Sequence, residues 1–287
     1  MTVPQKKGLK IFLIVLAVIV ILSIIFVSFM WYKMTHIISE ETVAEVMEIY
    51  KTYHGEDKVV TLKVIDSVTK LGIITSINQA DYRQGPITVT PAKLNGESVT
   101  LVTLGGTQNR EGQATTMDES KLASDGLGND YLTAVVNLFK DGTVPLDKPV
   151  FISGISLGGM IAQQLLGESY IMDNFTIKAV VTFGSPITMP FDRKGVKVVR
   201  FVDSNDIVPK LGEMGMKNKN DERIKSLQDS ERIMLTGSHK DGVETHALSY
   251  ISDEVWNAYD ILGVKGGNAV LELEQPLKFY EAPKLEK

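Results

Sequence analysis

The chain has 287 residues, enough for a membrane segment plus one sizeable α/β domain. Its formal net charge of -5, with no long basic stripe, argues against nucleic acid as the main partner. The absence of cysteine excludes disulfides, thiolate catalysis and Cys-based metal sites, and only four histidines (His36, His54, His239 and His246) are available as a base.

Lys6, Lys7 and Lys10 precede an uncharged, almost wholly apolar run over residues 11–32. About twenty such residues span a bilayer as a helix. Trp31 and Tyr32 fall where an interfacial aromatic belt sits. The run ends Phe29-Met30-Trp31-Tyr32, a poor cleavage site, so it reads as an uncleaved signal anchor and not a signal peptide. The lysines ahead of it place residues 1–10 in the cytoplasm and the large domain outside, as a single-pass membrane protein. Apolar residues from Ile37 to Tyr50 form a stripe that predicts a helix over 36–53, with Ser39 as its cap. A second helix is expected over 62–77. Residues 33–82 thus read as a helical stalk, or as helices lying against a domain over 83–287. His36 and His54 read as surface residues.

Strands are expected over 87–92 and 98–104, joined through Asn95-Gly96, a hairpin turn signal. Residues 108–128 are polar and aperiodic, either a flap over a pocket or a surface loop. Asn129 or Asp130 starts a helix that Asp141-Gly142 ends. Apolar runs over 177–183 and 196–202 suit buried parallel strands. Residues 213–231 are strongly charged and read as an exposed insertion, with a short strand at 233–235 after it. His246 is expected to precede a helix carrying Leu248, Ile251, Val255 and Trp256, and the tail after Gly266-Gly267 to add an edge strand. Alternating strands and helices mean an α/β domain with a mostly parallel central sheet flanked by helices.

One stretch carries the chemistry: Val150-Phe151-Ile152-Ser153-Gly154-Ile155-Ser156-Leu157-Gly158-Gly159, followed by a helical run over 160–166. Gly-x-Ser-x-Gly between a strand and a helix is the context of a nucleophile elbow. The serine sits on a strained turn, and Gly154 and Gly158 remove side chains that would collide there. The turn lifts the Ser156 hydroxyl to a helix N-terminus, where free N–H groups favour a developing negative charge. A serine hydroxyl needs a histidine to take its proton and a carboxylate to orient the imidazole. After Ser156 the histidines are His239 and His246, and Asp203 and Asp206 both lie just past a strand.

In order, the chain carries Leu104-Gly105-Gly106-Thr107, the elbow, Thr182-Phe183-Gly184-Ser185-Pro186, Asp206-Ile207-Val208-Pro209 and His246-Ala247-Leu248-Ser249-Tyr250. Over roughly residues 97–260 it resembles the class 3 lipase family, which includes the fungal triacylglycerol lipases. The resemblance implies an α/β-hydrolase fold, with Ser156 as nucleophile, Asp206 as acid and His246 as base. Asp206 is favoured over Asp203 because Val208-Pro209 match the family's x-Val-Pro, and His246 over His239 because Tyr250 follows at the family's aromatic. It also implies an oxyanion hole from the N–H groups of Thr107 and Leu157, with the Thr107 hydroxyl as a further donor. Gly105 stands where the family often has Arg, and the family's lid helix has no counterpart in the sequence. The implied activity is cleavage of carboxylic esters of lipids, without metal or organic cofactor. Phospholipase A, thioesterase and acyltransferase chemistry share this machinery. So does a membrane-tethered binding module that has lost activity.

Overall fold

The computed structural model describes residues 40–53, 62–80, 85–108, 110–188, 195–210, 232–239 and 242–285. The anchor expected at 11–32, His36, His54 and the insertion expected at 213–231 lie outside the described residues. Among the described residues no helix is long and apolar enough to cross a membrane. Residues 42–287 belong to one compact unit.

The helices are α1 (Glu40–Tyr53), α2 (Val68–Ala80), α3 (Met117–Ser124), α4 (Asp130–Lys140), α5 (Leu157–Gln164), α6 (Ser169–Asn174), α7 (Gly242–Leu248) and α8 (Asp253–Trp256). The strands are β1 (Val64–Ile65), β2 (Ile87–Leu94), β3 (Glu97–Leu104), β4 (Val150–Ile155), β5 (Ile177–Phe183), β6 (Lys197–Asp203), β7 (Arg232–Leu235), β8 (Leu271–Leu273) and β9 (Phe279–Tyr280). They form one sheet in the order β1-β8-β2-β3-β4-β5-β6-β7, with β9 also on β2. Strands β3 to β7 run parallel, and β1, β2, β8 and β9 pair antiparallel on one flank.

The central strands are buried on both faces, as parallel strands covered by helices must be. Alternation sends successive residues to opposite sides. Val150, Ile152 and Val180 pack with Tyr131, Val135 and Phe139 of α4 and with Met160 and Ile161 of α5. Phe151, Ile155 and Val181 pack on the other face with Val68, Leu71 and Ile74 of α2, and with Tyr250 and Trp256. The β2–β3 hairpin closes through Asn95 and Gly96 at φ 50° and 83°, with Leu94 opposite Glu97. Two positive φ angles are what a two-residue type I′ turn requires.

Four expectations shift. The helix expected at 62–77 is a short strand and then α2, whose Leu71, Ile74 and Ile77 are buried. The compact unit therefore begins well before residue 83, and α2 is a core helix, since Leu71 and Ile74 pack with the sheet while Ile73 and Ile77 pack with Leu248 and Ile251. The aperiodic stretch over 108–128 contains α3, whose cap Thr116 accepts from Glu119 N. That stretch is tied to the tail: Ala114 N–H donates to Ala282 O at 2.7 Å and Lys284 N–H to Gly112 O at 2.9 Å. The tail supplies β8, which is interior, between β1 and β2, as well as β9. Finally, His246 lies in the last turn of α7, not ahead of a helix.

Candidate functional site

The site is built where β4, β5 and β6 end. Ser156 follows β4 directly and adopts φ 54°, ψ -120°, one of two non-glycine residues with positive φ among those described. Such a backbone costs roughly 1–3 kcal/mol and persists only when its surroundings impose it. Here Ser156 N–H donates to Phe183 O at 2.9 Å, hanging the turn on β5. The glycines on either side serve two close approaches. A Cβ at Gly154 would fall on the Gly158 carbonyl and on Gly159 Cα. One at Gly158 would fall on the carbonyl oxygens of Leu104 and Gly105. Gly154 thus lets α5 fold back on β4, and Gly158 lets the end of β3 run over the first turn of α5. Helix α5 begins at Leu157, three residues before the apolar run suggests, because Gly158 and Gly159 sit inside it. Its first N–H groups, including that of buried Leu157, have no intrahelical acceptor.

Asp206 is fully buried. Its Oδ1 accepts from Val208 N at 2.8 Å, and its Oδ2 accepts from Tyr250 OH at 2.7 Å and from His246 Nδ1 at 2.8 Å. A histidine donating through Nδ1 keeps Nε2 as the acceptor. The ring of His246 is about one-fifth exposed while its partner carboxylate is sealed, and among the described residues the carboxylate oxygens bond only to this donor set. Burial, and then the neighbouring Asp206 carboxylate, push the Tyr250 hydroxyl well above the ordinary tyrosine range. Tyr250 therefore stays a proton donor to Asp206.

Ser156 and His246 flank the same Phe183–Gly184 peptide. Ser156 binds the Phe183 carbonyl, and a Cβ at Gly184 would stand 2.9 Å from His246 Nδ1. Among the described residues Ser156 Oγ makes no hydrogen bond, so the His246–Asp206 half of the constellation is joined and the Ser156–His246 half is not. Such bonds are often long before substrate binds.

Asp203 and His239 have other partners. Asp203 accepts from Asn205 N, Gly237 N and Ser249 Oγ (at 2.6 Å), which makes it the buried anchor of the turn after β6. His239 Nδ1 lies 3.7 Å from Glu244 Oε1, and its carbonyl accepts from Asn205 Nδ2 and Thr245 Oγ1. Thr107 follows Gly105 and Gly106 beyond β3, half-buried, with its Oγ1 2.8 Å from Ser120 Oγ.

Three contributors escape the sequence. Buried Gln163 of α5 donates through Nε2 to Pro186 O at 2.9 Å and Gly159 O at 3.0 Å, and accepts from Thr188 N, tying the elbow helix to the chain after β5. Tyr131 OH reaches the carbonyls of Pro86 and Gly105, both at 3.2 Å, under the segment leading to Thr107. Ser120 is the third. Only the apolar stripe of α4 hinted that Tyr131 faces inward; glutamine and serine on a helix give no such signal. Among the described residues no cluster of acidic or histidine side chains is arranged to hold a metal.

A buried carboxylate orienting a largely buried imidazole, across the Phe183–Gly184 peptide from a strained serine at a helix N-terminus, is chemically suited to activating a hydroxyl nucleophile. No protein-family model, curated protein or solved structure matches the chain.

Proposed function

We propose that this chain is a serine hydrolase of the α/β-hydrolase fold, similar to class 3 lipases, that cleaves carboxylic esters of lipids. The observation that carries the reading is the 2.8 Å bond from His246 Nδ1 to buried Asp206, at the strand ends that also bear Ser156 at positive φ. The fold is compatible: a parallel sheet flanked by helices, with the serine on the turn after a central strand.

In the proposed reaction Ser156 Oγ attacks the ester carbonyl as His246 Nε2 takes its proton. The tetrahedral oxyanion forms against the N–H groups of Thr107 and Leu157. His246 then protonates the departing alcohol, leaving an acyl-enzyme. Water, deprotonated by His246, releases the acid and restores Ser156. Asp206 holds the imidazole tautomer and the charged ring throughout. The apolar run at 11–32 would anchor the chain in a membrane, with the N-terminus cytoplasmic and the catalytic domain outside. That arrangement suits a lipid substrate.

The test is hydrolysis of p-nitrophenyl butyrate and palmitate by the full chain in detergent, beside Ser156→Ala. The expected result is turnover lost in the variant, and fluorophosphonate labelling lost with it. A folded wild-type chain that neither hydrolyses the esters nor takes the label overturns the reading.

A further inference from the structure

We propose that Ser120 is a positioning residue for the oxyanion site, presenting the Thr107 hydroxyl as a third donor beside the N–H groups of Thr107 and Leu157. The inference rests on the serine-hydrolase reading.

The segment that carries Thr107 arrives through Gly105 and Gly106, which have no side chains to fix its path. Its backbone is held on either side, by Tyr131 OH on Gly105 O at 3.2 Å and by Gln108 N–H on Thr115 O at 2.8 Å, and the Thr107 side chain is held at its hydroxyl, where a β-branched residue is stiff about χ1. Its Oγ1 is 2.8 Å from Ser120 Oγ. Ser120 Oγ in turn lies 3.1 Å from the Thr116 carbonyl, which can only accept. In the resting chain Ser120 therefore donates its one proton to Thr116 O, and Thr107 donates to Ser120.

An oxyanion changes that order. Hydrogen bonds to a charged acceptor are roughly twice as strong as neutral ones. The Thr107 O–H turns to the oxyanion, and the Ser120 O–H turns from Thr116 O to Thr107 Oγ1. No proton changes owner; two hydroxyls rotate. The Thr116 carbonyl is not orphaned, because Ser120 N–H still donates to it at 3.0 Å.

The platform under Ser120 is firm. Thr116 caps α3, and Ala123 is buried in the core with Leu157 and Met160 of α5. Buried Glu119 accepts from Asp130 N at 2.8 Å, which fastens α3 to the start of α4.

The experiment measures kcat and KM for p-nitrophenyl butyrate, and Ki for a trifluoromethyl ketone that mimics the tetrahedral adduct. The full chain in detergent is used as wild type, Ser120→Ala, Ser120→Thr, Thr107→Val and the Thr107→Val/Ser120→Ala double variant. For Ser120→Ala, kcat falls about tenfold and Ki rises by about the same factor, with KM within about twofold, because the lost contact exists only in the tetrahedral state. Ser120→Thr, which keeps a hydroxyl, stays within about threefold of wild type, and in the Thr107→Val background Ser120→Ala changes kcat by less than about twofold. An active wild type with Ser120→Ala at full kcat, or with the same loss in both backgrounds, overturns the Ser120 proposal alone. An inactive, unlabelled wild type overturns the hydrolase reading and this proposal with it.

Discussion

A methyl group at position 184 would stand 2.6 Å from Tyr250 Cε2, 2.7 Å from Asp206 Oδ2 and 2.9 Å from His246 Nδ1, on a residue whose φ is 53°. Gly184 is thus the floor on which the His246–Asp206–Tyr250 group rests, and the glycine of Phe-Gly-Ser-Pro has a steric reason to be there. Gly184→Ala is expected to lower turnover by about a hundredfold or more, because displacing aligned groups by an ångström costs that much. It should also destabilise the fold by about 1–3 kcal/mol. Ester kinetics and urea denaturation of the variant check both. The two late histidines give a sharper contrast. Only His246 touches Asp206, while His239 meets Glu244 near the surface. His246→Ala should lose roughly three to six orders of magnitude in kcat, and His239→Ala should stay within about threefold. Reversed results would unseat His246 as base.

Among the elements, helix α4 shows how far local chemistry reads through. Its cap Asn129 accepts from Leu132 N at 2.8 Å, and its amide also donates to Gln164 Oε1 and Leu127 O. Asn129→Ala should cost about 1–2 kcal/mol, more than a solvent-facing cap, because Gln164 of the elbow helix loses a buried partner. A shift in the urea midpoint at unchanged slope would register it. The start of the helix was legible from Asn129 or Asp130 ahead of an apolar stripe, as the hairpin was from Asn95-Gly96 and strand β5 from seven largely apolar residues. Each of those signals is local. Helix α3 was not legible: MDESKLAS has little periodicity, and its burial rests on Glu119 and Ala123 meeting neighbours distant in sequence. The same limit applies to the site. Ser156, Asp206 and His246 stand in motifs with residue-level chemistry. The bonds by which Gln163, Tyr131 and Ser120 bridge to other segments reach 13 to 45 positions away, which no spacing announces.

At the scale of the whole molecule, two fully buried tyrosines set an alkaline limit. Burial pushes Tyr131 far above its ordinary range, and burial beside Asp206 does the same to Tyr250. In the unfolded chain both titrate near pH ~10. Below that both states hold these protons, and the contribution to stability is complete. Above it the unfolded chain releases protons that the fold retains, so stability falls by up to about 1.4 kcal/mol per pH unit for each tyrosine. Tyr250→Phe should start less stable at pH 8, having lost a hydrogen bond to Asp206, yet decline less steeply between pH 10 and 11. Denaturant melts across that range are the check, and parallel declines would remove Tyr250 from the account.

The antiparallel flank also dictates an order of events during synthesis. Strand β2 offers its outer edge to Leu271–Leu273 and Phe279–Tyr280, so Ala92 finds its partner in Leu273 and Thr88 in Phe279. Until those late residues leave the ribosome, the nascent chain displays an unpaired edge beside an already closed hairpin, a template for pairing with other chains. Such distant pairings also slow closure of the sheet. A chain made in this direction is in greatest need of a chaperone in the interval between residue 104 and residue 280.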